Sequence, residues 1–137
     1  TENGYTAEEM KMVWETQKIF NDASIQVNPT CVRVPVFYGH AEAVHIETSA
    51  KITAAEVKAL MVEADGIELM DDTASMAFAS PAVHCAGNDP VYVSRIREDI
   101  SIDHGINMWI VSDNIRKGAA LNSIQIAEEL IKLLDKE

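Results

Sequence analysis

Arg33 and His40 are the two side chains whose surroundings most demand a chemical explanation. Arg33 lies inside the apolar, β-branched run from Thr30 to Phe37. A guanidinium is costly there unless it meets a carboxylate or an equivalent anion. His40 follows seven positions later at a corner that contains Gly39. Imidazole titrates near neutral pH, which suits an acid/base group. Local sequence alone also admits plainer roles, a structural ion pair for Arg33 and a surface turn for His40. Glu8, Lys11, Glu15 and Lys18 recur three or four positions apart; taken alone they are a solvated helix face stitched by pairs worth about 0.2–0.5 kcal/mol each. Asn114, ahead of Lys117-Gly118-Ala119-Ala120, reads in isolation as a helix cap beside small residues that permit close packing.

Several other chemistries are excluded by the same spacing arguments. Cys31 and His40 together suggest a thiolate–imidazole pair. Cys31, however, heads an apolar run where cysteine serves as a small hydrophobe, and it is not assigned as a nucleophile. His45 stands an odd five positions from His40, on the opposite face if both share a strand. His84-Cys85 has no partner at ligand spacing, so no metal site is expected. The six glycines at 4, 39, 66, 87, 105 and 118 are too dispersed for a dinucleotide-binding turn or a P-loop, and no G-x-S-x-G elbow occurs. Any nucleotide must be held mostly by another segment.

Eleven basic residues against twenty-two acidic ones, a net charge of -11 over 137 residues, argue against a phosphate-tracking surface and hence against nucleic acid. No apolar run approaches the roughly 20 residues of a spanning helix, so a soluble protein without membrane contact is expected. The two cysteines form no C-x-x-C pair and fit a reducing cytoplasm. The chain opens on Thr1 with a helix signal within its first ten residues, and a piece of something longer is expected.

The elements that must carry these residues follow from pattern. Thr6-Ala7-Glu8-Glu9 is a capping box, and Met10, Val13, Trp14 and Phe20 continue at helical spacing to an end near Asn21-Asp22. Thr30–Phe37 alternates like a strand, interrupted or placed at an edge by Pro35, and Ala41–Thr48 reads as another. A second box, Thr53-Ala54-Ala55-Glu56, opens a short helix that Gly66 stops. Residues 71–88 lack a period and read as an irregular connection. Val91–Arg97 and Ile106–Ser112 are strand candidates, and Asp113-Asn114 caps a helix over Lys117–Leu134. The expected architecture is α+β, helices packed on a largely antiparallel or mixed sheet.

These residues also stand in a familiar order. Glu8-Glu9-Met10-Lys11, then Thr30-Cys31-Val32-Arg33-Val34-Pro35-Val36, then Gly39-His40-Ala41-Glu42, and finally Trp109-Ile110-Val111-Ser112-Asp113-Asn114-Ile115-Arg116-Lys117-Gly118-Ala119-Ala120 resemble aspartate-β-semialdehyde dehydrogenase. The resemblance covers essentially the whole chain, residues 1–137, and places it in the C-terminal part of that family's catalytic and dimerisation domain. It implies an NADPH-dependent oxidoreductase that reductively dephosphorylates β-aspartyl phosphate to aspartate β-semialdehyde, in cytoplasmic lysine, threonine and methionine biosynthesis, as a homodimer.

Carried over position by position, Arg33 looks like the arginine that grips the substrate α-carboxylate, and Glu8 like the acid that meets its α-ammonium. Lys11 resembles the lysine that binds phosphate, and His40 the acid/base histidine. Asn114 resembles a cofactor-contacting position. The family's nucleophilic cysteine and its N-terminal NADP-binding domain have no counterpart among these residues, so this chain alone is expected to be inactive. Glu8, Lys11, Arg33 and His40 are expected to line one cleft. The alternatives are a non-catalytic dimerisation module, an inactive paralogue, or the related N-acetyl-γ-glutamyl phosphate reductase.

Overall fold

Helix α1 spans Ala7–Phe20 and begins where its capping box requires. The Thr6 N–H donates to Glu9 Oε2 at 2.8 Å and the Glu9 N–H donates to Thr6 Oγ1 at 3.1 Å, a reciprocal pair that satisfies amides lacking an intrahelical acceptor. Asn21, left-handed at φ 50°, closes the other end. In the computed structural model, which describes residues 1–135, α1 belongs to the first of two compact units, Thr1–Pro35; the second is Val36–Glu137.

After α1 the chain turns back along it. Gln17 Nε2 donates to the Ile25 carbonyl at 2.9 Å, Tyr5 Oη donates to Asn28 Oδ1 at 2.8 Å, and the Cys31 N–H donates to Glu9 Oε1 at 2.9 Å. The strand predicted over Thr30–Phe37 does not form. Alternation records a preference for extended backbone, but a strand also needs a neighbour to complete its ladder. Among the described residues none pairs with this segment, and Pro35 removes one donor. Val32 is accordingly 79% exposed and Phe37 99%.

The second unit is built on a four-stranded sheet. Its elements are β1 (His40–Glu47), α2 (Ala54–Glu63), β2 (Ile67–Leu69), β3 (Asp71–Asp72), β4 (Ala77–Phe78), β5 (Val91–Glu98), β6 (Gly105–Ser112) and α3 (Leu121–Leu134). The sheet order is β1-β6-β5-β2, with β2 parallel to β5 and the other pairs antiparallel. The predicted α+β class and mixed sheet are therefore observed. Part of the stretch read as irregular is ordered as the β3–β4 hairpin and a π-helical turn at Pro81–Cys85.

Alternation along β6 divides the core. Ile106 and Met108 face α2 and pack with Val57, Val93 and Ile96, while Val111 faces the other way and packs with Ala79, Cys85 and Tyr92. β5 bulges between Ser94 and Arg97, where Arg95 has φ 55°. The carboxylate of Asp71 accepts the two bulge amides, Arg95 at 2.8 Å and Ile96 at 3.0 Å, and pairs with Lys58 Nζ at 2.8 Å. Burial pushes the Asp71 pKa up, but Lys58 and the two amides outweigh it and hold the carboxyl below its ordinary value.

The last helix departs from expectation at both ends of the argument. Residues Arg116–Ala120 form a π-helical turn before α3 begins, and α3 carries no buried residue. Of the apolar positions expected to make this helix amphipathic, Leu121, Ile124, Ile131 and Leu134, the last three are exposed and Leu121 is half-buried.

Candidate functional site

The first unit holds three of the five candidate residues. Glu8 and Lys11 lie on the first turns of α1, three positions apart, with Nζ 3.5 Å from Oε1 and both side chains exposed. A pair this open contributes little to stability, so both groups are available to a ligand. Arg33 is also exposed, and among the described residues its side chain makes no ion pair or hydrogen bond. The structural ion pair that local sequence admitted is therefore absent there, and the desolvation cost that the sequence suggested does not arise.

Glu9 controls where that arginine stands. Its carboxylate caps α1 with one oxygen and receives the Cys31 amide with the other. Two residues of chain reach at most about 7 Å, so the backbone of Arg33 is tethered near the turn that carries Glu8. These amides, Thr6 foremost and then Cys31, hold the Glu9 carboxyl below its usual pKa. The capping box made Glu9 legible as a helix starter; its second partner, 22 positions away, was not legible.

In the second unit His40 opens β1 directly after Gly39, whose φ is +86°. A β-carbon at Gly39 would lie 2.7 Å from Pro81 Cβ and 2.8 Å from Cys85 Sγ, so the corner rests directly on the π-helical turn. The Gly39 N–H donates to Asn114 Oδ1 at 3.1 Å. Asn114 is thus not the helix cap that local sequence suggested. That work falls to its buried neighbour Asp113, whose Oδ1 accepts the Ile115 and Arg116 amides at 2.8 and 3.0 Å and whose Oδ2 accepts the Gly87 amide at 2.7 Å. These contacts, Gly87 first, depress the Asp113 pKa.

His40 itself is turned toward Glu42, with Nε2 2.8 Å from Oε1. The register pairs His40 with Ser112 and Glu42 with Ile110, placing both on the sheet face that α2 also occupies. His45 falls on the opposite face, as the odd spacing implied, and pairs with Asp99 at 3.0 Å. A shallow depression of about 390 Å³ beside the corner is lined by Tyr38, Ala86, Gly87, Asp113, Ile115 and Arg116. A larger groove of about 760 Å³ against α2 contains none of the candidate residues.

Neither cysteine is placed as a reactive thiolate. Cys31 is half-buried with its sulfur 3.4 Å from that of Met12. Cys85 is buried and donates its thiol proton to the Pro81 carbonyl; burial, reinforced by the charge of Asp113, raises its pKa. Among the described residues no cluster of three or more His, Cys, Asp or Glu side chains could hold a metal ion, and no helix is long and apolar enough to cross a membrane.

The first unit thus presents Glu8 and Lys11 as exposed opposite charges on one helix, and the second presents His40 at a braced sheet corner. Residues 1–117 match the family described as semialdehyde dehydrogenase, dimerisation domain. The aspartate-semialdehyde dehydrogenase of Shewanella violacea is 64% identical over 96% of this chain and 38% of its own length, and that of Aquifex aeolicus is 47% identical over 96% and 38%. Among solved structures, aspartate semialdehyde dehydrogenase II of Vibrio cholerae, complexed with ASA, superposes with a TM-score of 0.91 at 60% identity, again over 96% of this chain and 38% of that one. The chain belongs to the semialdehyde dehydrogenase family, through its dimerisation domain. It spans less than half the length of the relatives it matches.

Proposed function

We propose that this chain supplies the substrate-holding residues and the acid/base group of an NADPH-dependent aspartate-β-semialdehyde dehydrogenase. That enzyme converts β-aspartyl phosphate, NADPH and a proton to aspartate β-semialdehyde, NADP and phosphate, in the cytoplasm, as a homodimer. The observation that carries this reading is the Glu9–Cys31 bond, which keeps Arg33 close to the helix turn bearing Glu8 and Lys11. A zwitterionic amino-acid head with a phosphoryl tail needs that set. A planar fork suits the α-carboxylate, a carboxylate suits the α-ammonium, and a compact cation suits the phosphate.

His40 then moves the proton, exchanging it with the nucleophilic thiol and the thiohemiacetal oxygen, and the thiol itself comes from the remainder of the enzyme. Bound NADPH supplies the hydride. Its phosphates find no glycine cluster among these residues, so another part of the enzyme holds most of it. The Asn114 side-chain oxygen is taken by Gly39, which leaves its amide nitrogen to donate to the cofactor.

Two measurements test the reading. In the full-length protein Arg33→Leu removes the carboxylate fork, a charge-assisted contact worth about 1.5–3 kcal/mol, so kcat/KM for the semialdehyde falls tenfold or more. Arg33→Lys recovers part of it. Unchanged kinetics would remove the role of Arg33. The isolated chain is expected to show no phosphate-dependent reduction of NADP by the semialdehyde, and measurable turnover would mean that the reactive thiol lies in this chain after all.

A further inference from the structure

We infer that Glu42 is a positioning residue for His40, fixing the imidazole with its proton on Nε2 so that Nδ1 carries the lone pair that exchanges protons during the reaction. This rests on the reading of His40 as the acid/base group. Both residues stand on β1, two positions apart and therefore on one face of the sheet. The contact between them is short, Nε2 to Oε1 at 2.8 Å. A carboxylate only accepts, so the ring nitrogen facing Glu42 must be the donor in both the neutral and the charged ring. In the neutral ring the free lone pair is then at Nδ1, on the side away from Glu42.

The backbone beneath this pair is held along one edge and at its start. His40 and Glu42 are registered against Ser112 and Ile110 of β6. Gly39 is anchored by Asn114 and seated on Pro81 and Cys85. A base fixed to such a frame keeps its orientation only if the ring cannot spin about its own side-chain bonds, and Glu42 is the group in contact that prevents it. The pair is open to solvent, 59% and 40% exposed, and contributes little to folding. Its contribution lies in selecting one tautomer and one ring orientation.

The test uses the full-length protein labelled with ¹⁵N at histidine. In the wild type the His40 nitrogens should report the Nε2-protonated tautomer, and Glu42→Ala should give a mixture of the two forms. The same substitution should lower kcat about tenfold, since a general base acts only in the correct form and direction, with KM within twofold and thermal stability unchanged. Glu42→Gln, whose amide oxygen still accepts from Nε2, should recover most of the lost rate. An unaltered kcat in Glu42→Ala, or a tautomer indifferent to it, would overturn the assignment. A rise in KM alone would also overturn it, placing Glu42 on the substrate instead of on the ring. A wild-type protein without turnover would sink the proposed function, whereas the nitrogen shifts decide separately whether Glu42 selects the tautomer.

Discussion

Gly39→Ala is expected to destabilise the folded protein by about 3 kcal/mol. About 1–2 kcal/mol comes from forcing an L-residue to a positive φ, and about 1–3 kcal/mol from overpacking a filled site. The backbone at Gly39 sits at φ +86°, and the new methyl would meet Pro81 Cβ at 2.7 Å and Cys85 Sγ at 2.8 Å. Neither neighbour yields easily, one being a ring atom and the other a buried sulfur that is itself hydrogen-bonded. Relief requires moving the corner away from the π-helical turn, and that displaces His40 and stretches the Gly39–Asn114 bond. Chemical denaturation of the full-length protein checks the first effect, and kcat should fall with it. A loss of under 1 kcal/mol with normal kcat would show that the corner adapts and that its position is not critical.

Asp113→Ala should cost about 2–4 kcal/mol at neutral pH. The carboxylate satisfies three amides from two stretches of chain, and removing it takes away a helix-start cap worth about 1 kcal/mol and orphans the Gly87 N–H at about 1–3 kcal/mol. The pH dependence has a definite sign. The folded-state pKa lies below the ordinary carboxylate value. The contribution is therefore complete above the unfolded pKa near 4 and disappears as pH falls through the folded value. Denaturation midpoints of wild type and variant should accordingly differ most at pH 6–8 and converge under acid conditions. A gap that stayed constant down to pH 2 would contradict the role assigned to the ionised carboxylate.

What the sequence disclosed and what it withheld separate along one physical line. Both capping boxes were legible because their partners lie three residues apart, and the structure contains both in full. Strands β1, β5 and β6 were legible because each is eight residues long and patterned. β2, with three residues, and the two-residue arms of the β3–β4 hairpin are too short for any period to register. Thr30–Phe37 failed for the opposite reason: its pattern is strong, but strand formation depends on a partner that pattern cannot reveal.

The site divides in the same way. Residue types and order pointed to Glu8, Lys11, Arg33, His40 and Asn114. The groups that place them, Glu9 toward Cys31, Asn114 toward Gly39 and Asp113 toward Gly87, act across 22, 75 and 26 positions. Asp113 and Asn114 are equally good caps by chemistry, and only the arrival of a distant backbone amide decides which one performs it. Glu42 was visible in the motif but carried no role, because a carboxylate two positions from a histidine means something only once both are known to share a strand face.

The order of strands in the sheet constrains the moment at which His40 acquires its setting. β6 lies between β1 and β5 yet is the last strand along the polypeptide. β5 and β6 are joined by a short turn and can pair as soon as both have left the ribosome, but β1, made more than fifty residues earlier, must wait for the far side of that hairpin to exist. Until residue 112 emerges, the histidine has no cross-strand neighbour, and until residue 114 emerges, the preceding glycine has no acceptor for its amide. A nascent chain halted before β6 would contain every residue of the Gly39–Glu42 motif and none of the frame that gives the motif its geometry.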